Sequence, residues 1–143
     1  MKSLDTNLLI YAANQSCEEH IVARKLAEAL LAEPQEWMLA DQVLFEYYRA
    51  LRNPVILQRP LNAIQAAKQV RFLREEAGCL HCAYASELWG SVLPHLSKES
   101  LRGIGVFDAI LAVTLQANGI TKFYTRNVKE FKRFGLFEVI NPF

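Results

Sequence analysis

Strand-like and helix-like segments alternate along this chain from one end to the other, and that alternation narrows the possible folds more than any other feature. Short apolar or β-branched runs at Lys2 to Leu4, Trp37 to Ala40, Leu80 to Ala83, Ile120 to Tyr124 and Phe137 to Ile140 predict five strands. Helical periodicity fills the intervals. Val22, Leu26, Ala29 and Leu30 recur at helical spacing, as do Ala66, Val70, Leu73 and Ala77, with Gln65, Lys68, Gln69 and Glu76 on the opposite, wet side. Gly78 stands where the second of these helices should stop. Further helices are expected over Leu8 to Ala13 and Gln42 to Leu51, and a polar loop from Asn53 to Pro60 carries Pro54 and Pro60 near its ends. Parallel strands need crossover connections, and helices supply them. The expected architecture is therefore α/β, a three-layer α/β/α sandwich with a mainly parallel five-stranded central sheet.

A chain of 143 residues with a hydrophobic fraction of 52% can bury one sizeable core but is too short for two. With no internal repeat, low-complexity tract or linker, residues 1–143 read as a single domain. The apolar run Leu8 to Ala13 is too short to cross a membrane and has no small-residue cleavage pattern behind it, so a chain starting at Met1 and working in the cytoplasm is expected. A formal net charge of +1 neither favours nor excludes nucleic acid, because local acidity ringed by bases sums to nearly zero. Cys17, Cys79 and Cys82 are an odd number and read as reduced thiols; Cys79 and Cys82 form one CxxC around His81, whereas a zinc site calls for a second ligand pair at regular spacing.

In open α/β sheets, function gathers at the carboxyl ends of the strands, where strand order reverses. Asp5 follows the first predicted strand, Asp41 the second, and Thr125, Arg126 and Asn127 the fourth. Glu46 sits among Val43, Tyr47 and Ala50 on a predicted helix, and Asp108 shares a helix face with Leu111, Ala112 and Leu115. Each has an ordinary explanation. Asp5 could cap a helix, as could Thr6 or Asn7; Glu46 could pair with Gln42 or Arg49; Asp108 could favour the positive end of its helix. Three carboxylates converging on one sheet edge would repel one another unless hard divalent cations lay between them, which points to phosphodiester chemistry.

With these residues in view, the chain resembles the PIN-domain ribonucleases, in particular the VapC toxins of toxin–antitoxin pairs. The resemblance runs through DTNLLIYA, LADQVLFEYYRAL, VFDAILAVTLQANGI and YTRNVKEFKRFGLFEVINPF. It implies catalytic roles for Asp5, Glu46 and Asp108, with Asp5 and Asp108 holding Mg²⁺ or Mn²⁺, and supporting roles for Thr6, Asn7, Thr125 and Asn127. A fourth acid often follows the fourth strand in the family, and Asn127 matches that position without the charge. Glu130 reads as a solvated glutamate at a helix start, or else as a charge lying just outside the metal ligands. The resemblance also implies an endoribonuclease using a metal-activated water, RNA as substrate, a cognate antitoxin and a homodimer. Arg49, Arg52, Arg126 and Lys129, with Arg59, Lys132 and Arg133 nearby in sequence, could hold phosphates around the acids. Besides a purely structural α/β subunit, in which the carboxylates would be scattered in space, two other readings remain at this point. One is a PIN-like module that binds RNA or protein without cutting; the other is an enzyme using Asp5 as covalent nucleophile, which would want a second aspartate where Asn7 stands.

Overall fold

A computed structural model describes residues 1–143. All five strands form, each three residues long: β1 Lys2–Leu4, β2 Met38–Ala40, β3 Leu80–Cys82, β4 Lys122–Tyr124 and β5 Glu138–Ile140. Every pairing is parallel. The expectation of one five-stranded sheet needs correction, because β1, β4 and β5 form one ladder and β2 and β3 another. A single parallel bridge between Lys2 and Trp37 joins them. Strands this short leave little ladder, and the twist between neighbours carries β1 and β2 apart after one pairing.

Across that bridge the spatial order is β3, β2, β1, β4, β5. The chain steps from β1 through β2 to β3 in one direction, carrying helices α1 Thr6–Ala13, α2 His20–Ala32, α3 Asp41–Leu51 and α4 Ala63–Arg71. It then returns past β1 to β4 and β5 with α5 Trp89–Leu96, α6 Gly105–Ala117 and α7 Val128–Lys132. Right-handed crossovers running in opposite directions place the two helix sets on opposite faces. In agreement, α1 packs on α2 and α3, and α3 on α4, whereas α6 packs on α5 and α7. Strand order reverses beside β1, so the crevice expected of such sheets opens at the carboxyl ends of β1 and β4.

The local reasons for these elements are visible. A capping box between Asn62 and Gln65 starts α4, and Gly78, at φ +81°, ends the segment that continues it. Helix α6 buries Ala109, Leu111, Ala112, Val113 and Leu115 against a core that includes Leu4, Trp37, Leu39, Phe123 and Phe131. Two expectations shift. On α2 the buried residues are Ala23 and Leu30, while Val22 and Ala29 are exposed, because an alanine-rich helix leaves the face ambiguous by one position. The loop read as polar sinks Leu57 into the core. Helix α5 forms where no helix was named from the sequence, with Gly90 and Pro94 inside it, both unfavourable in a helix. No helix is long and apolar enough to cross a membrane.

Candidate active site

Strands β1 and β4 run in register, with Leu4 opposite Tyr124, and the Asp5 N–H extends the ladder by donating to the Tyr124 carbonyl at 2.9 Å. The next residue out on β4 is Thr125, so the two side chains meet at the sheet edge. The Thr125 hydroxyl donates to Asp5 Oδ2 at 2.6 Å and the Asn7 amide donates to the same oxygen at 2.9 Å. Asp5 Oδ1 accepts the Thr6 N–H at 2.8 Å, which is a helix N-cap. Capping does not exhaust the residue. Only 6% of Asp5 is exposed, and burial pushes its carboxyl up to about 6, against the hydrogen bonds from Thr125 and Thr6; the negative charges of Glu46 and Asp108 push the same way as burial.

Thr6 ties this cap to α3 by donating its hydroxyl to Glu46 Oε2 at 3.0 Å. One turn earlier, the Gln42 amide donates to Glu46 Oε1 and to the Phe107 carbonyl, both at 3.1 Å, which links α3 to the first turn of α6. Asp108 sits half-buried in that turn. Burial raises its carboxyl, Glu130 and then Glu46 raise it further, and Arg133 opposes them.

The acids surround the crevice without closing on it. No three His, Cys, Asp or Glu side chains stand close enough to grip one ion together, while Glu46 and Asp108 both lie within electrostatic reach of Asp5. Like charges repel, and neutral donors hold Asp5 and Glu46 in place. The donor chemistry still fits a divalent ion: carboxylate, hydroxyl and amide oxygens suit a hard cation, and burial, followed by the neighbouring acids, raises the carboxyls of Asp5 and Asp108.

The Asn127 N–H donates to Thr125 Oγ1 at 2.9 Å, but its side chain is exposed and bonded to none of the acids. Glu130, in the first turn of α7, is half-buried and is the charge that most strongly raises Asp108. Of its two readings, the charge near the site is the one supported: α7 packs on α6 and Glu130 raises the Asp108 carboxyl, while 46% of its side chain stays exposed and paired with Arg133. A sequence-level signal existed in its position three residues beyond Asn127 on a short helix following β4.

The PIN domain family model matches residues 3–135 of the chain. The chain belongs to the PIN-domain family. Ribonuclease VapC24 of Mycobacterium tuberculosis is 36% identical to it over 149 aligned positions, covering 99% of this chain and 97% of that protein. Among solved structures, the sarcin-ricin loop cleaving toxin VapC20 of Mycobacterium tuberculosis superposes with a TM-score of 0.70 at 20% identity, over 97% of this chain and 98% of that one. VapBC2 of Rickettsia felis, solved with a DNA fragment from its promoter, gives 0.66 at 18% identity over 98% and 97%. At such identities the likeness is one of fold.

In this PIN domain the basic residues fall into two groups. The Arg126 N–H lies 3.5 Å from Asn7 Oδ1, and its guanidinium reaches Glu19 at 3.6 Å and the Phe143 ring at 5.4 Å. Lys129 is exposed one turn further on. Arg49 and Arg52 are exposed at the far end of α3, with Arg52 Nη1 3.4 Å from the Tyr48 hydroxyl. A cavity of about 650 Å³ lined by Leu9, Leu31, Tyr47, Leu57, Phe72 and Leu73 contains none of the acids, so cavity size does not locate this site. Nor do the thiols: Cys79 Sγ faces His81 Nε2 at 3.7 Å, and Cys17 Sγ lies against the Asn14 and Tyr11 carbonyls.

Proposed function

We propose that this PIN domain is a metal-dependent endoribonuclease, the toxin of a toxin–antitoxin pair, hydrolysing RNA phosphodiester bonds at the crevice between Asp5, Glu46 and Asp108. The observation that carries the reading is Asp5, a carboxylate kept 6% exposed at the topological switch point and within electrostatic reach of two further acids. A protein gains nothing in stability from that arrangement. Asp5 and Asp108 would hold Mg²⁺ or Mn²⁺, which would supply Lewis acidity for the attacking water and for the charge that develops on the phosphate oxygens and the leaving oxygen. Thr125, Thr6 and Asn7 hold the Asp5 oxygens in place, and Thr6 and Gln42 fix Glu46 to receive the proton of the attacking water. Arg126 and Lys129 hold flanking phosphates on one side, Arg49 and Arg52 on another. The toxin–antitoxin relatives support an antitoxin as partner, and the apolar cavity beside α1 offers room for a partner's hydrophobic segment. A homodimer belongs to the same reading, supported by exposed Phe45, Ile104 and Phe107 on the neighbouring starts of α3 and α6.

The purified chain is expected to cut single-stranded RNA in Mg²⁺ or Mn²⁺, leaving 5′-phosphate and 3′-hydroxyl ends, and to stop in EDTA. End-specific ligation and sequencing reads this directly. Cyclic 2′,3′-phosphate ends would sink the hydrolytic scheme, and RNA binding without cleavage would leave a non-cutting module.

A second expectation separates Glu130 from Asn127. Glu130→Gln should weaken Mn²⁺ binding roughly fivefold, about 1 kcal/mol, because it removes a negative charge close to Asp108. Asn127→Asp should tighten binding by less, since its side chain points to solvent. Isothermal calorimetry decides, and equal affinity in Glu130→Gln and the native chain would remove Glu130 from the site.

A further inference from the structure

We propose that Arg133 is a further catalytic residue of this PIN domain: its guanidinium, seated against the first turn of α6 beside Asp108, binds the scissile phosphate and stabilises the charge that grows on it. This rests on the ribonuclease reading above.

The seat is unusual for an arginine. Arg133 Nη2 lies 2.8 Å from the point a Cβ on Gly105 would occupy, so the guanidinium lies against bare backbone. Gly105 is buried, opens α6 and does not have positive φ, so the helix does not require a glycine there. A cation at a helix amino terminus meets the positive end of the macrodipole. That local disadvantage falls in the same turn as Asp108.

The surroundings suit a phosphate. Arg133 Nη1 is 3.1 Å from Glu130 Oε2, but that pair is partly solvated, with 30% and 46% of the two side chains exposed, and such pairs are weak. A phosphate offers two charged oxygens to the guanidinium fork and can displace it. Burial, Glu130 and Glu46 all raise the Asp108 carboxyl, and Arg133 is the cation that opposes them. Arg133 also lies 5.4 Å from the Phe134 ring, as Arg126 does from the Phe143 ring while pairing with Glu19, so what singles out Arg133 is its place against the Asp108 turn.

Three variants test the assignment: Arg133→Ala, Arg133→Lys and Gly105→Ala. The kcat of Arg133→Ala on RNA is expected to fall about a hundredfold, the usual cost of removing one transition-state donor. Arg133→Lys keeps the charge without the fork and should remain about tenfold below native. Gly105→Ala meets the flexible guanidinium first and Leu101 Cδ1, 3.0 Å from the same point, second; with the charge intact and the melting temperature checked against native, a loss of about tenfold is expected from the displaced guanidinium. Millimolar guanidinium should restore part of the rate of Arg133→Ala and none of the native chain's. Mn²⁺ affinity by calorimetry should be equal or tighter in Arg133→Ala, because a cation beside Asp108 and Glu130 is gone. Weaker Mn²⁺ binding, with cleavage restored by excess metal, would make Arg133 a support for Glu130 and overturn the proposal. So would a rate within about threefold of native in Arg133→Ala, or a native rate in Gly105→Ala, both leaving the ribonuclease reading intact. A native chain inert toward RNA in either metal would overturn both.

Discussion

Replacing Asp5 with asparagine is expected to abolish RNA cleavage and, in the same protein, to raise the melting temperature measured without metal. The first effect follows from losing a charged ligand: Lewis-acid stabilisation is worth several kcal/mol, and about 4 kcal/mol is a thousandfold in rate. The second follows from linkage. An unfolded aspartate ionises near 3.8, whereas burial holds Asp5 protonated up to about 6 in the folded chain. Between those values the native state binds the extra proton, so stability is present at low pH and lost as pH rises through 6. At neutral pH the ionised carboxylate costs the fold about 3 kcal/mol. Asparagine removes that cost, keeps an acceptor for the Thr6 N–H, and can present its amide to the Thr125 hydroxyl oxygen. It then faces the Asn7 amide with a second donor, so the gain should be smaller, about 1–2 kcal/mol, or roughly 3–6 °C. Melting curves of both proteins at pH 4.5 and pH 7 check this, and the difference between them should grow with pH. A variant that melts well below the native chain at pH 7 would make Asp5 a structural cap and nothing more.

Metal affinity should carry the same signature. Protons compete with a divalent ion for a carboxylate, and a ligand titrating near 6 is half protonated where an ordinary aspartate is fully charged. Binding of Mn²⁺ is therefore expected to weaken about tenfold between pH 7 and pH 5, with one proton released per ion near pH 5. Mn²⁺ at a hundredfold excess over its pH 7 Kd should stabilise the fold by about 2.7 kcal/mol at pH 7 and, bound tenfold more weakly, by about 1.4 kcal/mol at pH 5. Calorimetry in buffers of different ionisation enthalpy measures the proton count. Affinity independent of pH over this range would place the ion away from Asp5.

Much of this molecule could be read from local pattern. Each strand lay within a residue or two of its place, because a short apolar run between polar turns is a local signal, and Asp5 stood immediately after β1 in the linear order. The same holds for Glu46 and Asp108 as acids among apolar neighbours. Pattern failed where local cues conflict. Pro94 and Gly90 stand inside α5, which survives because Val92 is buried and the helix packs on α6. Alanines on α2 left its buried face undecided until α1 packed against it.

Sequence by itself determined that the chain alternates strand and helix, that acids emerge at strand ends, and that Asn127 carries no charge where an acid was expected. Only the tertiary structure decided that five strands divide three and two, that Thr125 seats Asp5, that Gln42 ties Glu46 to α6, and that Glu130 and Arg133 stand over the turn holding Asp108. The physical reason is range. Periodicity and strand composition act over a few neighbouring residues, whereas a carboxylate's charge, proton and partners are set by whatever the crossovers bring beside it, and those neighbours lie far away along the chain.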